Sequence, residues 1–380
     1  MQQLTFIKPG QLAFWEVPEP RLRGPSEALV RPFVAARCDG DAVFLRFGLS
    51  RLIETGARLH VLDPMFAGPH GALFKGPFAY GHECVAEVVR VGEDVRDFRA
   101  GDVVIVPWAA ACGACGRCGR GLGAHCERAS TPLPAYGFGK GLGEYGGMVS
   151  DLVRVPYADA MLVRVPEGVD PLAVASASDN LPDAYRSVAP QLAAAPGAPV
   201  LIIGGAARSI GLYAVGMAVA LGASRVDYVD SDPGRLRIAE KLGARAIDLR
   251  PSARWFRREK PLLAEGYPIS VEASGTVSGL RYALNWLAPG GHCTALAFYM
   301  RRGTPIPLWN MYLKSCHLHV GVSHPRQNIP KVLDLIARGA FDPLQVEPLF
   351  GNFSDGPQLL LEDTTKVILS RPRSVRAAAG

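Results

Sequence analysis

Pro199-Val-Leu-Ile-Ile-Gly-Gly-Ala-Ala-Arg-Ser-Ile-Gly211 reads as a buried strand that runs into a glycine-rich turn and then a helix. The apolar run Val200–Ile203 is short and β-branched, as a strand covered on both faces requires. A helix is expected from Ile210 to Leu221, a second strand over Arg225–Val229 and a second helix from Pro233 to Leu242. Strand and helix in strict alternation imply a parallel, doubly wound α/β sheet. The turn Gly204, Gly205, Arg208, Ser209, Ile210, Gly211 presents backbone N–H groups and a helix N-terminus, the usual seat of a pyrophosphate. The common GxGxxG pattern is absent; Gly205-x-x-Arg208-x-x-Gly211 stands in its place. Arg208 is read as a pyrophosphate contact. Asp230, 19 residues beyond Gly211, closes the second strand. A carboxylate there accepts the ribose hydroxyls and repels a 2′-phosphate, so NAD is expected over NADP. Arg235, five residues on, is a basic residue expected near the same ribose, which tempers that preference.

N-terminal to this unit the texture is different. Short valine-rich runs such as Ala28–Val34, Val85–Val91 and Val103–Val106, bounded by Gly and Pro, mark a β-rich domain. Within it lies Cys112-x-x-Cys115-x-x-Cys118, followed by Cys126. Four thiolates within fifteen positions, separated by glycines, suit a closed tetrahedral zinc site that holds structure and leaves no position for substrate. An iron–sulfur cluster and a redox dithiol are the rival readings.

Composition narrows the rest. The chain has 380 residues, 48% hydrophobic and 20% charged, enough for two domains with real cores. The net charge of +6 forms no dense basic stripe; part of it sits in Arg371–Arg376. Nucleic acid is therefore not an expected partner. No run is long enough to span a membrane and the N-terminus carries no signal-peptide pattern. Eight cysteines are too few for a disulfide scaffold, which suggests a reducing, cytoplasmic setting.

A second metal set is scattered: Cys38 at a strand end, His82 and Glu83 in Gly81-His-Glu-Cys84, and Asp179 in Ser178-Asp-Asn-Leu-Pro-Asp183. Spacing alone leaves a buried thiol and a surface His-Glu pair as open readings. The order of motifs is more telling. Cysteine at a strand end, Gly-His-Glu before a valine-rich strand, Val91-Gly92-Glu93, Gly101-Asp102, the four-cysteine lobe and a βαβ unit follow one another. This order resembles the zinc-dependent alcohol dehydrogenases of the medium-chain dehydrogenase/reductase superfamily, over nearly the whole chain. The resemblance implies a GroES-like catalytic domain (1–169, with the zinc lobe at about 108–130), a Rossmann NAD-binding domain (170–320) and a return to the catalytic domain (321–380). It implies two zinc ions per chain, the catalytic one on Cys38, His82 and Asp179. Aspartate in the third position is similar to formaldehyde-dehydrogenase-like relatives. Glu83 matches a glutamate that approaches the metal. Ala273, Ser274, Leu296 and Ala297 match residues flanking the nicotinamide, with ordinary core packing as the alternative. The turn with Arg208 resembles the GxxGxxG of quinone-oxidoreductase-like relatives.

The implied activity is hydride transfer between NAD and an alcohol or hydrated aldehyde, with zinc as Lewis acid. An aldehyde dismutase-like enzyme that keeps its NAD, and a catalytically silent NAD- and zinc-binding protein, are the alternatives. A homodimer or homotetramer is implied through the edge of the Rossmann sheet. Two features depart from the family. Gly40 stands where relatives carry the Ser or Thr that relays the substrate proton, and Val43 and Phe44 where many have His. Asp39 or Asp41 is then the candidate relay, with a structural hydrogen bond as the other reading of Asp41. The stretch between Cys38 and His82 is also long. Its segment Arg46–Tyr80, with Leu49, Leu52, Ile53, Leu59, Val61, Leu62, Met65 and Phe66, is too apolar for a free loop and is expected to wall or lid the cleft. His317, His319 and His324 are read as packing residues, and Cys293 and Cys316 as buried thiols.

Overall fold

The computed structural model describes residues 1–62, 74–249 and 262–373. Met65, Phe66 and Arg376 lie outside them.

Six parallel strands form the sheet foreseen from the βαβ rhythm. In spatial order they are Arg245–Asp248, Val226–Asp230, Val200–Ile203, Tyr267–Glu272, Leu287–Ala295 and His317–Val320. The order reverses between Val200–Ile203 and Tyr267–Glu272, and sheets of this kind take their ligand at the carboxyl ends of the strands at that point. The helix after the first strand spans Arg208–Ala220, two residues earlier than the periodicity suggested. It is buried nearly all round, which is why its apolar pattern lacks a polar face. Pro233–Lys241 starts where expected because Asp232 caps it, accepting the N–H of Arg235 at 2.9 Å with Pro233 in the first turn.

The second sheet holds Leu349–Asn352, Val367–Ser370, Ala28–Ala36, Glu83–Val91, Val103–Ile105 and Val163–Arg164 in that order, with Val153–Val155 pairing to Ala28–Ala36. The C-terminal chain thus returns to the first domain's sheet. Pro325–Ala337 packs on the helix Asn180–Ala194, and its Ile329, Val332 and Leu333 share one buried cluster with Val200 and Ile202. Pro325 sits in that helix's first turn, where proline is favoured, and Pro330 lies in its interior.

The Arg46–Tyr80 segment carries a helix, Leu49–Arg58. Leu49 and Ile53 are buried with Phe6, Phe44 and Phe78, whereas Leu52, Leu59 and Val61 are exposed. Leu62 pairs with Arg301, and Arg302 donates its N–H to the Val61 carbonyl at 2.9 Å. The segment therefore reaches from the N-terminal strands to the loop beyond the fifth Rossmann strand. No helix of the described residues is long and apolar enough to cross a membrane.

Candidate metal centres and cofactor cleft

The four cysteine sulfurs of the lobe all lie within 4.8 Å of one another. The backbone is wrapped around them: Cys118 N–H points to Cys115 Sγ at 3.4 Å, Glu127 N–H to the same sulfur at 3.5 Å, and Cys112 N–H to Cys126 Sγ at 3.4 Å. The Cys118 and Glu127 N–H groups hold the Cys115 thiol down at about 6. Gly113, at φ +72°, makes the reversal between the first two cysteines that a side chain would resist. Four convergent sulfurs, with N–H groups aimed at them, fit a structural zinc.

The scattered set also converges. Ala28–Ala36 delivers Cys38, the approach to Glu83–Val91 delivers His82, and the N-terminus of Asn180–Ala194 delivers Asp179. Asp179 Oδ2 lies 3.3 Å from Cys38 Sγ and 3.4 Å from His82 Nε2. Ligands on arms of roughly 2.0–2.3 Å around a tetrahedral zinc stand about 3.3–3.7 Å apart. Burial alone would push His82 down, but the carboxylates of Asp41, Asp179 and Glu83 overcome it and hold the imidazole at about 9. Burial and the charge of Asp179 push the Cys38 thiol well up. The pocket gathers negative charge around one point, and a divalent cation there would offset it.

Asp41 stands behind His82. Its Oδ1 is 3.7 Å from His82 Nδ1 and its Oδ2 accepts the Tyr80 hydroxyl at 2.7 Å. At 3.7 Å this is a charge contact and not a hydrogen bond, and a carboxylate beside the far nitrogen leaves Nε2 free to ligate. Of the two readings of Asp41, the structural one matches this geometry. Asp39, the other candidate relay, turns both its oxygens to the cofactor helix, Oδ1 accepting Ser209 Oγ–H at 2.8 Å and Oδ2 the Ile210 N–H at 3.0 Å. At Gly40 a Cβ would come within 3.0 Å of the Phe298 ring, so an aromatic edge takes the space of the family's hydroxyl.

Glu83 is engaged beside the three converging ligand atoms and is not one of them in this structure. Neighbouring residues of an extended chain face opposite ways, so Glu83 points away from the side His82 serves. Its carboxylate accepts the Asn180 N–H at 2.9 Å, the Ser176 hydroxyl at 3.2 Å and the Lys366 ammonium at 2.8 Å, and both members of that ion pair are fully buried. Lys366 went unnoticed in the sequence; a lysine leading into the apolar run Val367–Leu369 was the available signal. Phe138 packs 4.6 Å from the His82 ring and contacts Phe44 and Phe74, giving the pocket an aromatic wall that runs to the Arg46–Tyr80 segment.

At the dinucleotide turn the shape is right and the donors are engaged. Gly205 has φ +155°, and a Cβ there would strike the Ser274 backbone at 2.7 Å. Gly204 lies over Tyr228 and Asp230 with no room for a side chain. The Ala206 and Ala207 N–H groups donate to the Ser274 and Ala273 carbonyls at 3.2 and 2.9 Å. Arg208 is drawn to Asp363 at 2.5 Å and to the Thr364 carbonyl at 3.2 Å. Asp230 is buried and accepts five donors: Tyr228 Oη, the Ser231 and Asp232 N–H groups, and Arg235 through Nε and Nη2. Burial opposes its charge, yet Arg235 and Tyr228 hold the carboxyl below its usual range. Arg235 thus neutralises Asp230. Ala273, Ser274, Leu296 and Ala297 cluster at the ends of the fourth and fifth strands, where Gly275 brings Ala206 and Ala297 close. Glu272 and Tyr299, not foreseen, tie this turn: Glu272 accepts the Ser274 and Gly275 N–H groups at 2.8 and 3.1 Å and the Tyr299 hydroxyl.

The remaining histidines and cysteines divide. On the outermost strand the exposed His317 and His319 stack with His292 of the strand beside it, with His292 Nδ1 2.9 Å from His319 Nε2. His324 packs on the zinc lobe, its Nδ1 3.4 Å from the Ala124 N–H. Cys293 is buried and Cys316 only partly so.

Known proteins agree with this architecture. Residues 24–167 match the alcohol dehydrogenase GroES-like domain and residues 209–338 the zinc-binding dehydrogenase domain. A probable zinc-binding alcohol dehydrogenase of Mycobacterium tuberculosis is 29% identical over 329 residues, 86% of this chain and 75% of that protein. A formaldehyde dismutase of Pseudomonas putida is 30% identical over 282 residues, 70% of this chain and 69% of that one. The solved alcohol dehydrogenase of Thermus sp. ATN1 superposes with a TM-score of 0.80 at 29% identity, covering 97% of this chain and 99% of that one. The chain belongs to the zinc-binding alcohol dehydrogenases of the medium-chain superfamily, zinc-dependent oxidoreductases that use a nicotinamide cofactor.

Proposed function

We propose that this chain oxidises an alcohol or hydrated aldehyde, and reduces the corresponding carbonyl, with NAD as cofactor and a zinc ion held by Cys38, His82 and Asp179. One observation carries the reading: three ligand atoms from distant parts of the chain meet at tetrahedral spacing beside the carboxyl ends of the parallel strands. Zinc bound there supplies Lewis acidity toward a substrate oxygen. Cys38 and Asp179 bring negative charge to that position, Asp41 sets its charge behind His82, and Glu83 stays with Lys366. Phe138 and Phe298 put apolar surface beside the approach, which favours a small or hydrophobic substrate. Phe74, from the described part of the Arg46–Tyr80 segment, packs on Phe138 beside that approach, and this segment sets substrate choice. Cys112, Cys115, Cys118 and Cys126 hold a second, structural zinc. NAD is preferred over NADP, although the Asp230–Arg235 pair makes the preference smaller than a free carboxylate would. The chain assembles through the exposed outer strand His317–Val320 as a homodimer or homotetramer, and eight unpaired cysteines suit a cytoplasmic setting.

NADH formation at 340 nm against a panel of primary, secondary and hydrated-aldehyde substrates tests the proposal; a zinc-replete protein inactive on the whole panel with NAD and NADP refutes it. The similarity to a formaldehyde dismutase supports a second reading, redox-neutral turnover on a retained cofactor. Dinucleotide that survives exhaustive dialysis would favour that reading.

A further inference from the structure

The geometry points to Asp39 as a built-in anion in the phosphate seat of the cofactor helix, one that a bound dinucleotide has to displace. The inference rests on reading the Gly204–Gly211 turn as a dinucleotide site. In such a turn the first N–H groups of the helix receive the pyrophosphate. Here the helix Arg208–Ala220 offers its Ile210 N–H, and the Asp39 carboxylate accepts it at 3.0 Å while taking the Ser209 hydroxyl at 2.8 Å. Asp39 is 8% exposed, so this is a buried, closed contact. Nearby donors offer little relief. The Gly204, Ala206 and Ala207 N–H groups are bonded to Val229, Ser274 and Ala273, and the turn's arginine is held by Asp363.

Both anions come from outside the parallel sheet. Asp39 directly follows Cys38, and Asp363 precedes the strand Val367–Ser370 of the other sheet. The two parts of the chain are therefore latched together across the cleft by carboxylates occupying the positions that phosphates need. A pyrophosphate entering this cleft meets a like charge and must take over at least the Ile210 N–H. Asp39 accordingly weakens cofactor affinity and couples cofactor entry to a movement of the Cys38 loop. This argues against long retention of a dinucleotide.

The test is an NADH fluorescence titration of zinc-loaded wild type, Asp39→Asn and Ser209→Ala, with ADP-ribose as a second ligand and zinc content measured in parallel. Asp39→Asn removes the charge with little change of shape and is expected to lower the Kd for both ligands about tenfold. Ser209→Ala removes one of the two donors holding Asp39 and is expected to lower it by a smaller factor. Unchanged or weaker binding in both variants, with zinc retained, overturns the inference and makes Asp39 a staple that positions the helix. Should Asp39→Asn fail to fold, Ser209→Ala decides alone. Wild type that binds NADH while neither variant binds tighter defeats only the Asp39 inference. No NADH binding by any of the three defeats the dinucleotide reading as well.

Discussion

Replacing Lys366 by methionine keeps most of the alkyl stem and deletes the ammonium that faces Glu83. Lys366 and Glu83 are both fully buried and 2.8 Å apart, so water cannot take the place of the lost charge. Glu83 would keep the Asn180 N–H and the Ser176 hydroxyl, two neutral donors. Removing one partner of a buried ion pair costs about 3–5 kcal/mol, because the other charge is left desolvated. The burial that already raises Glu83 above its usual 4.5 then acts without its main opponent, the charge of Lys366, and the carboxyl takes up a proton in the folded state. The folded state then binds more protons than the unfolded one above pH 4.5, so the penalty grows with pH, by at most about 1.4 kcal/mol per unit. Urea denaturation of wild type, Lys366→Met, Glu83→Gln and the double variant at pH 5 and pH 8 measures this. The single lysine variant should be the least stable and worse at pH 8, and the double variant should recover part of the loss. A cost below about 1 kcal/mol for Lys366→Met, or one independent of pH, would refute a closed ion pair at this position.

Asp41→Asn should lower zinc affinity at the Cys38–His82–Asp179 site by about 10–100-fold while leaving the four-cysteine lobe loaded, because the imidazole loses the charge behind Nδ1; competition with a chromogenic chelator reads it. His324 is held down at about 4 by burial and by the neighbouring His125 and Arg186. The unfolded chain therefore takes up this proton first, and wild type should lose stability relative to His324→Gln as pH falls from 6.5 to 4. A thermal-melt difference that stays constant over that range would remove His324 from the account.

What the sequence made legible was local. The cysteine lobe announces itself because all four ligands fall within one loop, and the parallel sheet because the apolar period changes from strand to helix at every turn. Contacts across the cleft were not legible. Asp39 stood next to a candidate ligand and invited a proton-relay reading, yet its partners Ser209 and Ile210 are 170 and 171 residues away. Lys366 is 283 residues from Glu83 and nothing in its own stretch names that partner. Asp230 was placed correctly at the strand end, but its capture by Arg235 depends on how the next helix is aimed, which composition does not encode.

The central claim is that three side chains far apart in sequence form a second zinc site. Zinc per chain, measured by plasma emission on wild type and Asp179→Ala purified without added metal, tests it most directly. Two zinc ions in wild type and one in Asp179→Ala are the expected counts. One zinc in wild type, or two in both, would contradict it.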